Sequence, residues 1–275
     1  MMRWQSIVTT VHGIVARDLR RSLRQKSRLF GGLARSFMWL LLVGTGYNAI
    51  ARVEGAVSYQ AFVYPGIVVM AALFGAMLTA ISTVYDREFG MLRLMLSCPA
   101  GTMAVLMGRA LSATLVGIVQ GGAVLLCGPL LLDLTAGQLA AAAVVLAVSA
   151  ASSSLLGLLV AAPLRSVENF AAVINVVLFP LLFVSGALYP TRGMPSWLRS
   201  VARLNPVTYQ VDLMRVALGQ PGELGVARSL LTLAVTGLVI FGLAAWLFDP
   251  EHRFVRPSGY RLQVTGSRKI TRQSP

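Results

Sequence analysis

The chain has 275 residues, 56% of them hydrophobic and 12% charged, with 24 Lys plus Arg against 10 Asp plus Glu. A soluble domain carries about twice that charged fraction, so an ordinary water-exposed surface is excluded for most of the chain. The formal charge of +14 first suggests nucleic acid, but most of it flanks uncharged runs, which is the pattern of membrane topology.

Residues 1–35 hold the bases Arg3, Arg17, Arg20, Arg21, Arg24, Lys26, Arg28 and Arg35 against one acid, Asp18. Arg17, Arg20, Arg21, Arg24 and Arg28 share one helical face, while Trp4, Val8, Val11, Val15 and Leu19 share another. Residues 4–30 are therefore predicted as an amphipathic helix in the membrane plane, its arginines facing anionic lipids. A solvated basic face that enforces topology explains the same pattern. A cleaved signal peptide is not expected, because the basic region before the first apolar run is far longer than a normal n-region.

Uncharged runs follow at 36–51, 55–85, 110–132, 134–164, 169–191 and 229–248. A bilayer core needs roughly 20 apolar residues per helix, and only helices satisfy the backbone of a single apolar segment in lipid. The fold class is all-α and polytopic, with about six spans, near 33–51, 58–84, 104–131, 137–162, 169–190 and 228–248. Arg35 and Arg52 are expected to snorkel at the ends of the short first span. The positive-inside rule puts both basic termini, including the tail 249–275, in the cytoplasm. The basic residues between 192 and 228 resist this scheme, and a five-span layout with 169–191 as a re-entrant hairpin would move them inside. Cys98 and Cys127 match no metal-ligand spacing and read as small apolar residues.

Between the second and third runs stands "VYDREFGMLRLML" (residues 84–96). Taken as one helix over 86–97, it puts Asp86, Gly90, Arg93 and Ser97 on one stripe and Phe89, Leu92, Met95 and Leu96 on the other. Neither Asp86 nor Glu88 has a base three or four residues ahead. Unpaired acids on a short amphipathic helix suit a docking surface, although acids in a first turn also simply favour the helix dipole. Later, "YPTRGMPSWLRSVARLNPVTYQVDLMR" (189–215) predicts two short helices. Ser196 is the expected cap of the first, Asn205-Pro206 the break, and Asp212 and Arg215 a pair at i, i+3. The first, over 196–204, would be about 13 Å long, too short to cross.

Several chemistries are missing. No GxxxxGK[ST] occurs, so the chain binds no ATP through a P-loop. No uncharged run holds the buried ionisable group that an ion-coupled carrier needs. His12 and His252 lie in terminal segments, and neither GxSxG nor HExxH is present, so no enzyme is indicated.

"STVYDREFGMLRLMLSCPA" (82–100) resembles the cytoplasmic coupling segment of type-2 ABC transporter permeases. "FPLLFVSGALYP" together with "MPSWLRSVARLNPVTYQVDLMR" (179–215) resembles their C-terminal signature. A narrower likeness, through "SRLFGGLARSFMWLLLVGTGYNAI", is to the branch associated with quinoprotein alcohol oxidation. Nodulation-factor and drug-type exporters stay open. The resemblance implies one permease domain over 1–275 in a bacterial inner membrane. It would act as a homodimer or heterodimer with a separate ATP-binding subunit that carries ATP and Mg. It makes 85–98 a coupling helix seated on that subunit through Asp86, Arg87, Glu88, Phe89, Gly90, Leu92 and Arg93. It makes 195–219 re-entrant half-helices at an outer exit gate, with Pro195, Trp197, Asn205, Pro206, Tyr209, Asp212 and Arg215. It draws the path along Phe37, Tyr47, Tyr64, Asn175, Phe179 and Phe183. The uncharged spans suit an amphiphilic or lipid-like substrate. The alternative is an ion-coupled transporter or channel acting without an ATPase.

Overall fold

The computed structural model describes residues 2–44, 46, 58–96 and 101–248. Tyr47, Cys98, the tail 249–275 and the side chains of Trp4, Arg28 and Arg93 lie outside the described residues. Every regular element described is helical: α1 (Met2–Arg24), α2 (Lys26–Met38) continuing into a π-helical turn (Trp39–Val43), α3 (Tyr59–Glu88), α4 (Met91–Leu96) and α5 (Gly101–Leu125). They continue with α6 (Ala136–Ala161), α7 (Val167–Val184), α8 (Ser196–Leu204), α9 (Pro206–Ala217) and α10 (Val226–Phe248). Helices α3, α5, α6, α7 and α10 are long and apolar enough to cross a membrane, and Leu29–Val43 is a shorter apolar helix. The protein is an all-α polytopic membrane protein.

The helix starts follow from local chemistry. The Ser58 hydroxyl accepts from Ala61 N–H, Thr135 and Gln138 form a reciprocal capping box, and Ser166 accepts from Asn169 N–H. Helix α3 is central and mostly buried, with α5 and α6 packed along it. Small residues allow the backbones to close: a Cβ on Gly117 would stand 2.9 Å from the Ala72 carbonyl oxygen. Pro65 inside α3 cannot donate to the Ala61 carbonyl, and Gln220 Nε2 donates to it instead at 2.6 Å.

Two ends of the bundle can be identified. At one, α1 meets the C-terminal end of α3 through Arg17–Asp86, Arg87 reaches the Ala161 and Leu164 carbonyls, and the Arg87 guanidinium lies 5.0 Å from the Phe248 ring centre. At the other, the Tyr64 hydroxyl donates to Val124 and Leu125 carbonyls, and Tyr59 donates to that of Leu188. Helix α7 therefore runs from Val167 beside Glu88 toward the other end, where the turn after it brings Leu188 beside Tyr59. The hairpin expected for the five-span alternative is not seen: residues 167–184 form one continuous helix, and only 185–191 turn. Helix α2 and its π turn start from the end that α1 and Phe248 share. Gln60 lies against Gly44, which brings that segment up to the start of α3.

Candidate functional site

The charged triplet of "VYDREFG" ends α3 rather than opening a new helix. Phe89 and Gly90 form a turn, with Gly90 at φ +75°, and α4 begins at Met91. A glycine tolerates this left-handed backbone, which is why the continuous helix expected over 86–97 breaks here.

Each charge of the triplet fastens a different helix. Asp86 joins a buried ionic cluster: Arg109 of α5 bonds Asp86 with Nη2, and with Nη1 donates to Asp18 at 3.0 Å and to the Ser82 hydroxyl at 3.1 Å. Arg17 donates to Asp86 at 2.6 Å and to Asp18 at 3.2 Å. Arg21 stands 3.7 Å from Asp86 and lies over the Tyr85 ring. The side chains of Arg109, Asp18 and Asp86 are 2%, 2% and 8% exposed, against 36% for Arg17. Burial acts to lower the Arg17 guanidinium, but Asp86 and Asp18 outweigh it and hold Arg17 above its ordinary value. Arg87 reaches the last carbonyl of α6, that of Ala161, and the Leu164 carbonyl just beyond it, where a cation complements the helix dipole. Glu88 accepts from Val167 N–H at 3.0 Å at the start of α7.

These contacts correct two expectations. The acids at 86 and 88 do have partners within the chain, brought by other helices rather than by neighbours on their own. Arg17 and Arg21 turn toward protein, and only Arg20 and Arg24 of the described basic face are exposed. Val8, on the face expected to lie against the membrane, is 64% exposed, while Ile14 and Asp18 form the stripe buried in the protein. What the triplet leaves outside is the turn: Phe89 is 71% exposed and stacks on Tyr85, and Met91 is 44% exposed. Leu92 is buried against Ile14 and Leu106.

Two residues of the cluster were missed from sequence. Asp18 stands in the sequence as the lone acid of a basic stretch, and Arg109 as a base directly before the uncharged run 110–132. An arginine opening an uncharged run, with an acid on the preceding amphipathic helix, was the available clue.

At the opposite end, α8 and α9 meet at Asn205, which closes one helix and caps the next. Its Oδ1 accepts from Val207 N–H and its Nδ2 donates to the Leu181 carbonyl. Pro206 takes the first position of α9, where its missing N–H costs nothing. The joint reaches into the bundle: the Ser153 hydroxyl of α6 donates to Gln210, and Tyr209 packs on Leu233 of α10 while its hydroxyl donates to the Arg203 carbonyl. Pro195, not Ser196, occupies the cap position of α8. The expected Asp212–Arg215 pair does not form. Asp212 accepts from Glu223 and Leu224 N–H and from the Ser229 hydroxyl, and Arg215 donates to the Gly186 carbonyl with Glu223 3.9 Å away. Trp197 is 68% exposed.

Of the expected path residues, Tyr64 is fully buried within this one chain, its hydroxyl tied to the end of α5. Asn175 is exposed and donates to the Ala171 carbonyl of its own helix. Phe37 is half-buried against the main core. Phe179 and Phe183, in contrast, line an apolar groove between α2 with its π turn, α3 and α7, together with Arg35, Trp39, Met70 and Phe74. Trp39 meets Phe183 edge to face at 6.3 Å. Arg35 does not snorkel to the end of its span. It lies 4.4 Å from the centre of the Phe74 ring, halfway along α3.

Comparison with known proteins agrees with this architecture. The family model described as ABC-2 type transporter matches residues 9–218. A protein named as transport permease ycf38 from Cyanophora paradoxa is 31% identical over 199 residues, covering 70% of this chain and 68% of its own. Nodulation protein J of Rhizobium leguminosarum bv. viciae is 30% identical over 206 residues, covering 70% of this chain and 76% of its own. A protein named as a multidrug ABC transporter permease, YbhR, from Escherichia coli strain K12 is 28% identical over 159 residues, covering 57% and 43%. The chain belongs to the ABC-2 type transporter permeases and is an ABC transporter membrane subunit.

Proposed function

We propose that this chain is the membrane subunit of an ATP-driven exporter, with ATP hydrolysed on a separate P-loop protein that seats against the Phe89–Met91 turn. One observation carries the reading. The turn sits at the end of the central helix, beside a buried ionic cluster that ties α1, α3 and α5 into one body. Force applied at the exposed Phe89, which stacks on Tyr85 of α3, would therefore move three helices together rather than bend a loop.

The reading moves the contact surface from the charges to the apolar turn, since Asp86 and Arg87 are occupied internally. It places the Phe89 end, with α1 and Phe248, in the cytoplasm of a bacterial inner membrane, and the Asn205 joint as a re-entrant gate on the outer side. A second copy of the chain would complete the path along the groove of Phe179 and Phe183. The apolar, aromatic lining of that groove suits an amphiphilic cargo.

The test is co-purification. Affinity-tagged chain should bring down a protein bearing GxxxxGK[ST], and Phe89→Asp should release it while leaving the chain folded. Transport by the chain alone in ATP-free liposomes would favour the ion-coupled alternative and refute the proposal.

A further inference from the structure

The groove between α2, α3 and α7 contains one charge. Arg35 is half-buried there, and the described contact of its guanidinium is the face of Phe74. Among the described residues no carboxylate or hydrogen-bond acceptor partners it. The remaining lining is uncharged: Trp39, Met70, Phe179 and Phe183 are its large side chains. Phe74 lies some 22 Å along α3 from Tyr59, counting about 1.5 Å per residue, so the charge stands near mid-depth of the bundle. A cation at that level is costly, and a ring face offsets only part of the lost hydration. The other buried cations at helix level, Arg109 and Arg215, are bound to carboxylates or carbonyls, so the chain has the means to neutralise an arginine and does not use it at Arg35.

Among the described residues, a second copy of the chain offers no acid at the level of Arg35. The described acids stand toward the two ends of the bundle, at Asp18, Asp86, Glu88, Asp133, Glu168 and Glu223, or are already engaged, as Asp212 is. None is level with Phe74. Phe179 and Phe183, 46% and 40% exposed, open the groove sideways between α2 and α7.

We infer that the groove binds an anionic amphiphile, with its sulfonate, carboxylate or phosphate group on Arg35 and its aromatic or apolar body against Trp39, Phe179 and Phe183. Arg35 is then a specificity-determining residue that selects anionic over neutral molecules of the same shape. The inference rests on the exporter reading only in calling this ligand a substrate, and its test needs no ATP-binding subunit.

The full chain is placed in nanodiscs of zwitterionic phosphatidylcholine, with Trp4, Trp197 and Trp246 changed to Phe so that Trp39 is the only tryptophan. Energy transfer from Trp39 is titrated with two probes of similar ring body, anionic 8-anilinonaphthalene-1-sulfonate and neutral N-phenyl-1-naphthylamine, with Trp39→Phe as the blank. The anionic probe should bind at least about tenfold tighter, the size of one charge-assisted contact in a partly dry site. Arg35→Gln should bring the ratio to near one without loss of the neutral probe, and Arg35→Lys should keep the preference. Equal affinities in the wild-type sequence, a preference that survives Arg35→Gln, or no transfer to either probe because a second copy fills the groove would each overturn the inference. If Arg35→Gln does not stay monodisperse, the wild-type ratio and the Arg35→Lys ratio decide the matter alone.

Discussion

Arg109 should be far more important to the fold than Arg17, although both bond the same two carboxylates. The Arg109, Asp18 and Asp86 side chains are 2%, 2% and 8% exposed, so removing Arg109 leaves two buried acids with only the part-exposed Arg17 and Arg21 to compensate them. Breaking one member out of a buried ion cluster costs about 3 to 5 kcal/mol. Arg17 is 36% exposed, and its loss falls in the surface-pair range of about 0.2 to 1 kcal/mol. Arg109→Gln and Arg17→Gln can be compared by SDS-titrated unfolding in mixed micelles, monitored by circular dichroism. Adding Asp18→Asn and Asp86→Asn to Arg109→Gln should recover part of the loss, since the uncompensated charges are then gone. Equal losses for the two single variants, or a triple variant weaker than Arg109→Gln, would refute the reasoning.

Three further outcomes can be measured with the same unfolding assay. Gln220→Leu should cost about 1 to 3 kcal/mol by orphaning the Ala61 carbonyl, and much less in a Pro65→Ala background, where the restored backbone N–H at position 65 can donate to that carbonyl itself. Asp212→Ala should cost about 2 kcal/mol or more, because the Glu223 and Leu224 amides and the Ser229 hydroxyl lose their acceptor together. Gly117→Val should cost about 1 to 3 kcal/mol, since a Cβ there presses on the Ala72 backbone, which cannot swing aside as a side chain can.

The fold class was legible because lipid permits so few solutions. Uncharged runs of sufficient length must be helices, and the five long apolar helices fall on five of those runs. The Asn205-Pro206 joint was legible for a similarly local reason, since proline restricts the residue before it and asparagine caps the helix after it. The ionic cluster was not legible. Asp18, Asp86 and Arg109 are separated by 23 to 91 positions, and spacing rules speak only to neighbours on one helix. The same limit hid the true partners of Arg87 and Glu88, which belong to the end of α6 and the start of α7. Arg35 misled for the opposite reason: a base next to an apolar run usually snorkels to water, and only the position of Phe74 reveals that this one does not.

The central claim is that Phe89 is where another protein's ATP energy enters this chain. A photoreactive residue incorporated at Phe89 in cells, with identification of whatever becomes attached, tests it directly. The account predicts an adduct with a GxxxxGK[ST] protein, strongest at Phe89 and absent when the same residue is placed at Trp197. Adducts confined to lipid or to a second copy of this chain would contradict it.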